Sequence, residues 1–350
     1  MKSSVLAALL VVTISILRPA LGGTFAETDL HILLERLDSM ERSAQHPLFA
    51  RHCRSLRALV QSGWARAQLF RPHSNMPELL RADLAEIAAG LDRGNDRWEA
   101  FRDAGQALVL AFLSERDQTL QLYHLVLPRD WDESRAYPLH VELHGSGGPE
   151  MRPLSWVKMT LGPAPNFEKK HCPIHTYAMI ERDGFHVLPY GRGNSNYEDI
   201  GEIDIWEALA DAEANLKIDP ERRYLYGFSM GGSGAYLLAA RRPELWAAVA
   251  IIGGSPGLRD APEELAQSLA PLPLFSLVRR EGRVVRQRKT ESASPARNQY
   301  ANARDHLRSR TTTRLPAMPS TATPRAGARV RSSRCAAISR TVRCRSSMRS

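Results

Sequence analysis

Arg223-Tyr224-Leu225-Tyr226-Gly227-Phe228-Ser229-Met230-Gly231-Gly232-Ser233-Gly234-Ala235-Tyr236 changes character halfway along, and the fold turns on that change. Arg223–Tyr226 has the aromatic and apolar character of a strand. Gly232–Tyr236 opens a helix with small residues that allow close packing. Between them stands Gly227-Phe228-Ser229-Met230-Gly231, a G-x-S-x-G pattern. In a sharp strand-to-helix turn the flanking glycines let the backbone fold back on itself. The serine hydroxyl is then lifted above the sheet. Three small-residue positions are a weak signal alone; the strand before and the helix after give them meaning.

Eighty-five residues earlier, Pro138–His144 reads as a strand that runs directly into Gly145-Ser146-Gly147-Gly148. Acyl transfer puts negative charge on a carbonyl oxygen, and preorganised N–H groups aimed at that oxygen stabilise it by roughly 3–4 kcal/mol apiece. A glycine-rich bend after this strand can present one donor, from Ser146 or Gly147, and the N–H of Met230 can present the other. His144 is expected to brace the bend and not to act as a base.

Working outward, the remaining elements alternate. Thr28–Ser43 carries Leu30, Leu33, Leu34, Leu37 and Met40 at helical spacing, Leu48–Gln61 is a second helix, and a third runs from Pro77 through Leu91, with Ser74 or Asn75 as cap and Gly90 or Gly94 at its end. Ala107–Leu113 and Leu120–Leu127 are strand-like and flank the polar Ser114–Thr119, which predicts a hairpin. Phe185–Pro189 is a strand, about Asp204–Leu216 a helix, Gly232–Arg241 a helix, Trp246–Ile252 a strand, and Leu272–Val278 the start of another. Strands alternating with helices predict an α/β fold: a mostly parallel sheet covered on both faces, preceded by a helical region.

The two glycine-rich motifs together resemble the α/β-hydrolase superfamily, over about Gln106–Val278. Within that span Pro189-Tyr190-Gly191-Arg192-Gly193-Asn194-Ser195, Gly201-Glu202-Ile203-Asp204 and Gly227–Gly232 are similar to exported bacterial proteins of its prolyl-oligopeptidase-like and feruloyl-esterase-like branch. The resemblance implies a Ser-His-Asp triad that cleaves an ester or peptide bond, with no metal and no cofactor. It makes Ser229 the nucleophile and Met230 an oxyanion donor. Glu202 and Asp204 fit the pattern as well and are expected to cap a helix. Arg192 and Asn194 are expected at the pocket mouth or in loop structure.

The chain departs from this family where the triad should finish. In the fold the order is Ser, then acid, then His. Only His306 follows Ser229 among the histidines, without a flanking glycine; Asp260 precedes the expected strand, and Glu281 stands close to the acid's place. Composition changes at the same point. Val278–Ser350 holds 18 Arg, one Lys and three acidic residues, whereas Met1–Leu277 has 28 basic and 35 acidic ones. The formal charge of +9 therefore belongs to one end of the chain. The overall basicity predicts no nucleic-acid partner. Such Arg/Ser/Thr wording, without an apolar period, cannot offset an ordering cost of roughly 1–2 kcal/mol per residue and predicts disorder over 279–350. A shift of reading frame near codon 278 accounts for the change; an authentic basic tail is the alternative.

At the other end, Lys2, the apolar run Val5–Leu17 and Ala20-Leu21-Gly22 read as a secretory signal. The run is short for a spanning helix, so cleavage, export and no lasting membrane insertion are expected. The boundaries are then 1–22 signal, 23–105 helical region, 106–278 an incomplete hydrolase domain and 279–350 tail. Cys53 and Cys172 could pair in an oxidising compartment, with two unpaired thiols as the alternative. The predicted function is a serine hydrolase on a small ester or peptide substrate. A remnant without the triad Asp and His, and an anion-binding protein using the tail, are the competing readings.

Overall fold

The computed structural model describes residues 25–69, 75–92, 97–103, 105–147, 152–161, 182–255, 267–280 and 283–288. The expected signal segment 1–22, Cys172, Gly148, Asp260, Glu281 and His306 lie outside them.

Among the described residues, four helices come first: α1 (Glu27–Arg42), α2 (Pro47–Leu69), α3 (Met76–Asp92) and the short α4 (Trp98–Arg102). Leu30, Leu33, Leu37 and Met40 of α1 are buried as a stripe, as their spacing requires. Asp29 in the first turn accepts the Ala26 N–H at 2.7 Å, so an amide with no intrahelical partner is satisfied. Helix α2 continues eight residues past the expected end at Gln61 because Gly63 and Ala67 keep its inner face small and buried. A side chain at Gly63 would meet Leu154 Cδ1 at 2.3 Å, so its absence is what admits the next helix layer. Helix α4 was not legible in the sequence; five residues carry too little period.

The sheet has eight strands: β1 (Leu108–Leu113), β2 (Leu120–Val126), β3 (Tyr137–Leu143), β4 (Phe185–Pro189), β5 (Ile218–Phe228), β6 (Ala248–Ile252), β7 (Leu274–Arg280) and β8 (Arg283–Arg288). Their order is β1-β2-β4-β3-β5-β6-β7-β8. Strands β4, β3, β5, β6 and β7 form a parallel block. β1 and β2 join it antiparallel at one end, β8 at the other. Helices lie between the parallel strands: α5 (Pro153–Leu161), α6 (Ile200–Asn215) and α7 (Met230–Arg241).

Both faces are covered. Trp156 of α5 stacks on His124 of β2, with centroids 4.9 Å apart, and also meets His144. From the opposite face Asp211 of α6 accepts the Tyr123 hydroxyl at 2.7 Å, and Tyr236 of α7 lies 3.3 Å from Ser276 of β7. Every residue of β3 is buried, as a central parallel strand requires. Its pairing with β5 slips between Tyr137 and Leu139, around Pro138, which has no N–H to give a ladder.

The helices of 27–102 share one continuous core with the sheet. Two expectations are corrected. The stretch from 279 onward was expected to be disordered, yet β7 runs to Arg280 and Arg283–Arg288 pairs with it. Finally, neither Glu202 nor Asp204 caps a helix. The N-cap of α6 is Asp199, without a side-chain cap bond, and the helix begins four residues before the expected Asp204.

Candidate active site

Strand β5 delivers Ser229 into α7 with φ 53° and ψ −115°, a conformation that non-glycine residues rarely adopt. The neighbours make it possible. A Cβ on Gly227 would lie 1.9 Å from the carbonyl oxygen of Gly231, and one on Gly231 would lie 2.1 Å from that of Leu143. The turn is thus closed against itself and against the end of β3. The Ser229 N–H is held by Ile252 O at 2.8 Å, and its carbonyl accepts from Ser233 at 3.1 Å. Held at both ends of its backbone, Ser229 remains half-buried, so the hydroxyl is within reach of solvent.

The bend after β3 lies against the same turn. Gly145 packs on Phe228, whose ring would stand 3.1 Å from a Cβ placed there. Ser146 is exposed and Gly147 half-buried. Asn194 fixes this bend twice: Gly147 N donates to Asn194 Oδ1 at 3.0 Å, and Asn194 Nδ2 donates to Gly147 O at 2.8 Å. The Gly147 N–H is therefore engaged, which leaves Ser146 as the candidate first donor. Met230 is the first residue of α7, where an N–H has no intrahelical acceptor.

His144 takes the bracing role expected of it. Its Nδ1 sits 2.8 Å from Gly145 O and its Nε2 3.0 Å from Tyr190 O, and burial lowers its pKa against the effect of those carbonyls. Its own carbonyl accepts the Tyr197 hydroxyl at 3.1 Å. Tyr197, fully buried with φ 58°, lies where a Cβ on Gly234 would fall 2.5 Å from its ring. It wedges the bend, the Gly191 turn and α7 together. Nothing in the sequence singles it out, because its role exists only once three separated segments meet.

Arg192 is loop structure. It bonds Asp117 and Thr119 of the β1–β2 turn and Asp204 of α6. Burial raises the Asp204 carboxyl to about 7, with the Arg192 charge opposing the shift. Glu202 accepts from Trp206 Nε1 at 3.2 Å and pairs with Arg241 at 3.0 Å, tying α6 to α7. Among the described residues after Ser229 there is no His and no Asp, and Glu244 is the only acid.

A parallel block flanked by an antiparallel second strand, with a strained serine between the fifth strand and its helix, defines the α/β-hydrolase class. Comparison with known proteins narrows this. Residues 188–270 match the family model described as "Putative esterase". The "Probable feruloyl esterase C" of Aspergillus niger is 29% identical over 132 residues, 38% of this chain and 46% of that protein. That of Aspergillus terreus is 30% identical over 135 residues, again 38% and 46%. Over this part of its length the chain is similar to esterases of the α/β-hydrolase type, and it spans under half the length of these curated relatives. Among solved structures, a ferulic acid esterase of Anaeromyces mucronatus aligns with a TM-score of 0.33 at 19% identity, covering 47% of this chain and 67% of that one. The sheet order, and not this superposition, defines the fold. No helix among the described residues is long and apolar enough to cross a membrane.

Proposed function

We propose that the chain is a carboxylic-ester hydrolase in which Ser229 is the nucleophile. Its Oγ attacks the ester carbonyl carbon, and the developing oxyanion is received by the N–H groups of Met230 and Ser146. The observation that carries this reading is the conformation of Ser229: a positive φ held by close backbone contacts that glycine alone permits at Gly227 and Gly231. Strain of this kind costs of order 1–3 kcal/mol and persists where the surroundings impose it. Here it lifts a hydroxyl clear of the sheet beside the β3 bend.

The two Aspergillus relatives carry feruloyl esterase names, so aryl and hydroxycinnamate esters are the first substrates to try. A hydroxyl needs an adjacent base to become a strong nucleophile, and the described residues after Ser229 offer none. Turnover by this chain is accordingly expected to be slow. A fluorophosphonate probe should label the folded protein, and Ser229→Ala should lose the label while keeping its thermal transition. Labelling that survives Ser229→Ala, or a folded wild type that never labels, overturns the assignment. Export belongs to the same proposal: protein recovered outside the cytoplasm should begin after Gly22, as N-terminal sequencing would read directly.

A further inference from the structure

On the face of the sheet that carries α5, a second group of polar side chains is gathered far from Ser229. His140 of β3 and His186 of β4 stack with ring centroids 4.4 Å apart and an interplanar angle of 11°. Both are buried. Each turns its Nε2 toward Asp183, which lies 3.1 Å from His140 Nε2 and 3.9 Å from His186 Nε2. One ligand atom from each of the three lies within 4.8 Å of the others. The opposite ring nitrogens are held as well: His186 Nδ1 is 2.6 Å from Glu142 Oε1, and His140 Nδ1 is 2.9 Å from the Tyr226 hydroxyl.

We infer that His140, His186 and Asp183 form a binding site for a divalent metal ion of the zinc type, which clamps β3 to the start of β4. Two imidazole nitrogens and a carboxylate oxygen suit such an ion, with bonds of about 2.0–2.2 Å, so that atoms sharing it stand roughly 3–4 Å apart. The two histidine-to-Asp183 separations fall in that range. The surroundings follow the usual rule for metal-bound histidine, in which the far ring nitrogen is fixed by a carboxylate or hydroxyl and the near lone pair is thereby aimed. Glu142 and Tyr226 do this here.

Access is present. A Cβ on Gly184 would crowd His140 Nε2 at 3.0 Å, and the Asp183 side chain is 45% exposed. His140 stands opposite Tyr224, five residues before Ser229. At about 3.3 Å per residue that is roughly 16 Å along the sheet, so the ion has a structural role apart from ester cleavage.

The test uses the untagged full chain, stripped with a chelator and titrated with Zn2+ by calorimetry and with Co2+ by visible absorption. One ion per chain is expected, with Co2+ bands of low coordination number and a Tm raised by several degrees. Asp183→Asn should weaken Zn2+ binding at least 10-fold with its metal-free Tm unchanged, and fluorophosphonate labelling at Ser229 should be unaffected. Tyr226→Phe, which frees the His140 ring, should weaken binding about 10-fold; His186→Gln should abolish it. No saturable uptake by the wild type overturns the site and leaves a hydrogen-bonded His-Asp-His ladder. Uptake unchanged in Asp183→Asn overturns it also, since the ion then sits elsewhere; that variant decides the matter even if His186→Gln fails to fold.

Discussion

At the scale of single residues, the serine turn depends on what is missing from its neighbours. Gly227 admits no Cβ because the obstacle, Gly231 O at 1.9 Å, is backbone and cannot swing aside. Gly227→Ala should therefore destabilise by about 3 kcal/mol or more, read by urea denaturation, and should abolish probe labelling. Asp204 makes a different prediction. Its folded pKa of about 7 exceeds an unfolded value of about 3.9, so between those values the native state holds the extra proton. Stability then falls as pH rises through that window. Asp204→Asn should flatten the loss, gaining on the wild type at pH 8 relative to pH 4 in denaturation curves. The roles of Gly227, Ser229 and Gly231 were legible because they act within five residues of one another. Asp204 was not: its partner Arg192 comes from a loop, and Asp117, which shares that arginine, from a distant turn.

At the scale of elements, the two edges of the sheet are managed differently. β1 is an edge strand, and its outward amides are taken by α2: Val109 N–H by His52 Nδ1 at 2.8 Å and Ala111 N–H by Ser55 Oγ at 2.9 Å. Burial lowers His52 to about 4, which keeps the imidazole neutral and able to accept. Ser55→Ala leaves a partly buried amide unpaired and should cost about 1–3 kcal/mol. His52→Ala should cost more, since it adds a cavity; thermal denaturation would rank the two. At the other edge, among the described residues, β8 pairs antiparallel with β7. Helical spacing and strand alternation made α1, α2, α3 and most strands readable in advance. Helix α5 escaped because Pro153–Leu161, at nine residues, is too short to display a clear period.

At the scale of the molecule, the α/β sheet runs from β1 to β7 and the composition then changes. If the residues after Val278 are translated out of frame, one of the other two frames of the downstream DNA should encode an acid loop and a glycine-flanked His. Restoring that frame should raise Ser229-dependent ester turnover by about 10²–10⁴-fold, the usual worth of a positioned base; if neither frame contains them, the tail is authentic. Sequence alone was enough for the strand–serine–helix turn, the alternation that makes a covered parallel sheet and the charge break near 278, because each is written in neighbouring residues. Only the tertiary structure decided that Asn194 and Tyr197 hold the β3 bend, that α2 shares the core of the sheet, and that His140 and Glu142 are buried. Along β3 those two alternate with Leu139, Val141 and Leu143 as a solvent-facing set would. What lies over a face is settled by distant segments, and local spacing carries no record of them.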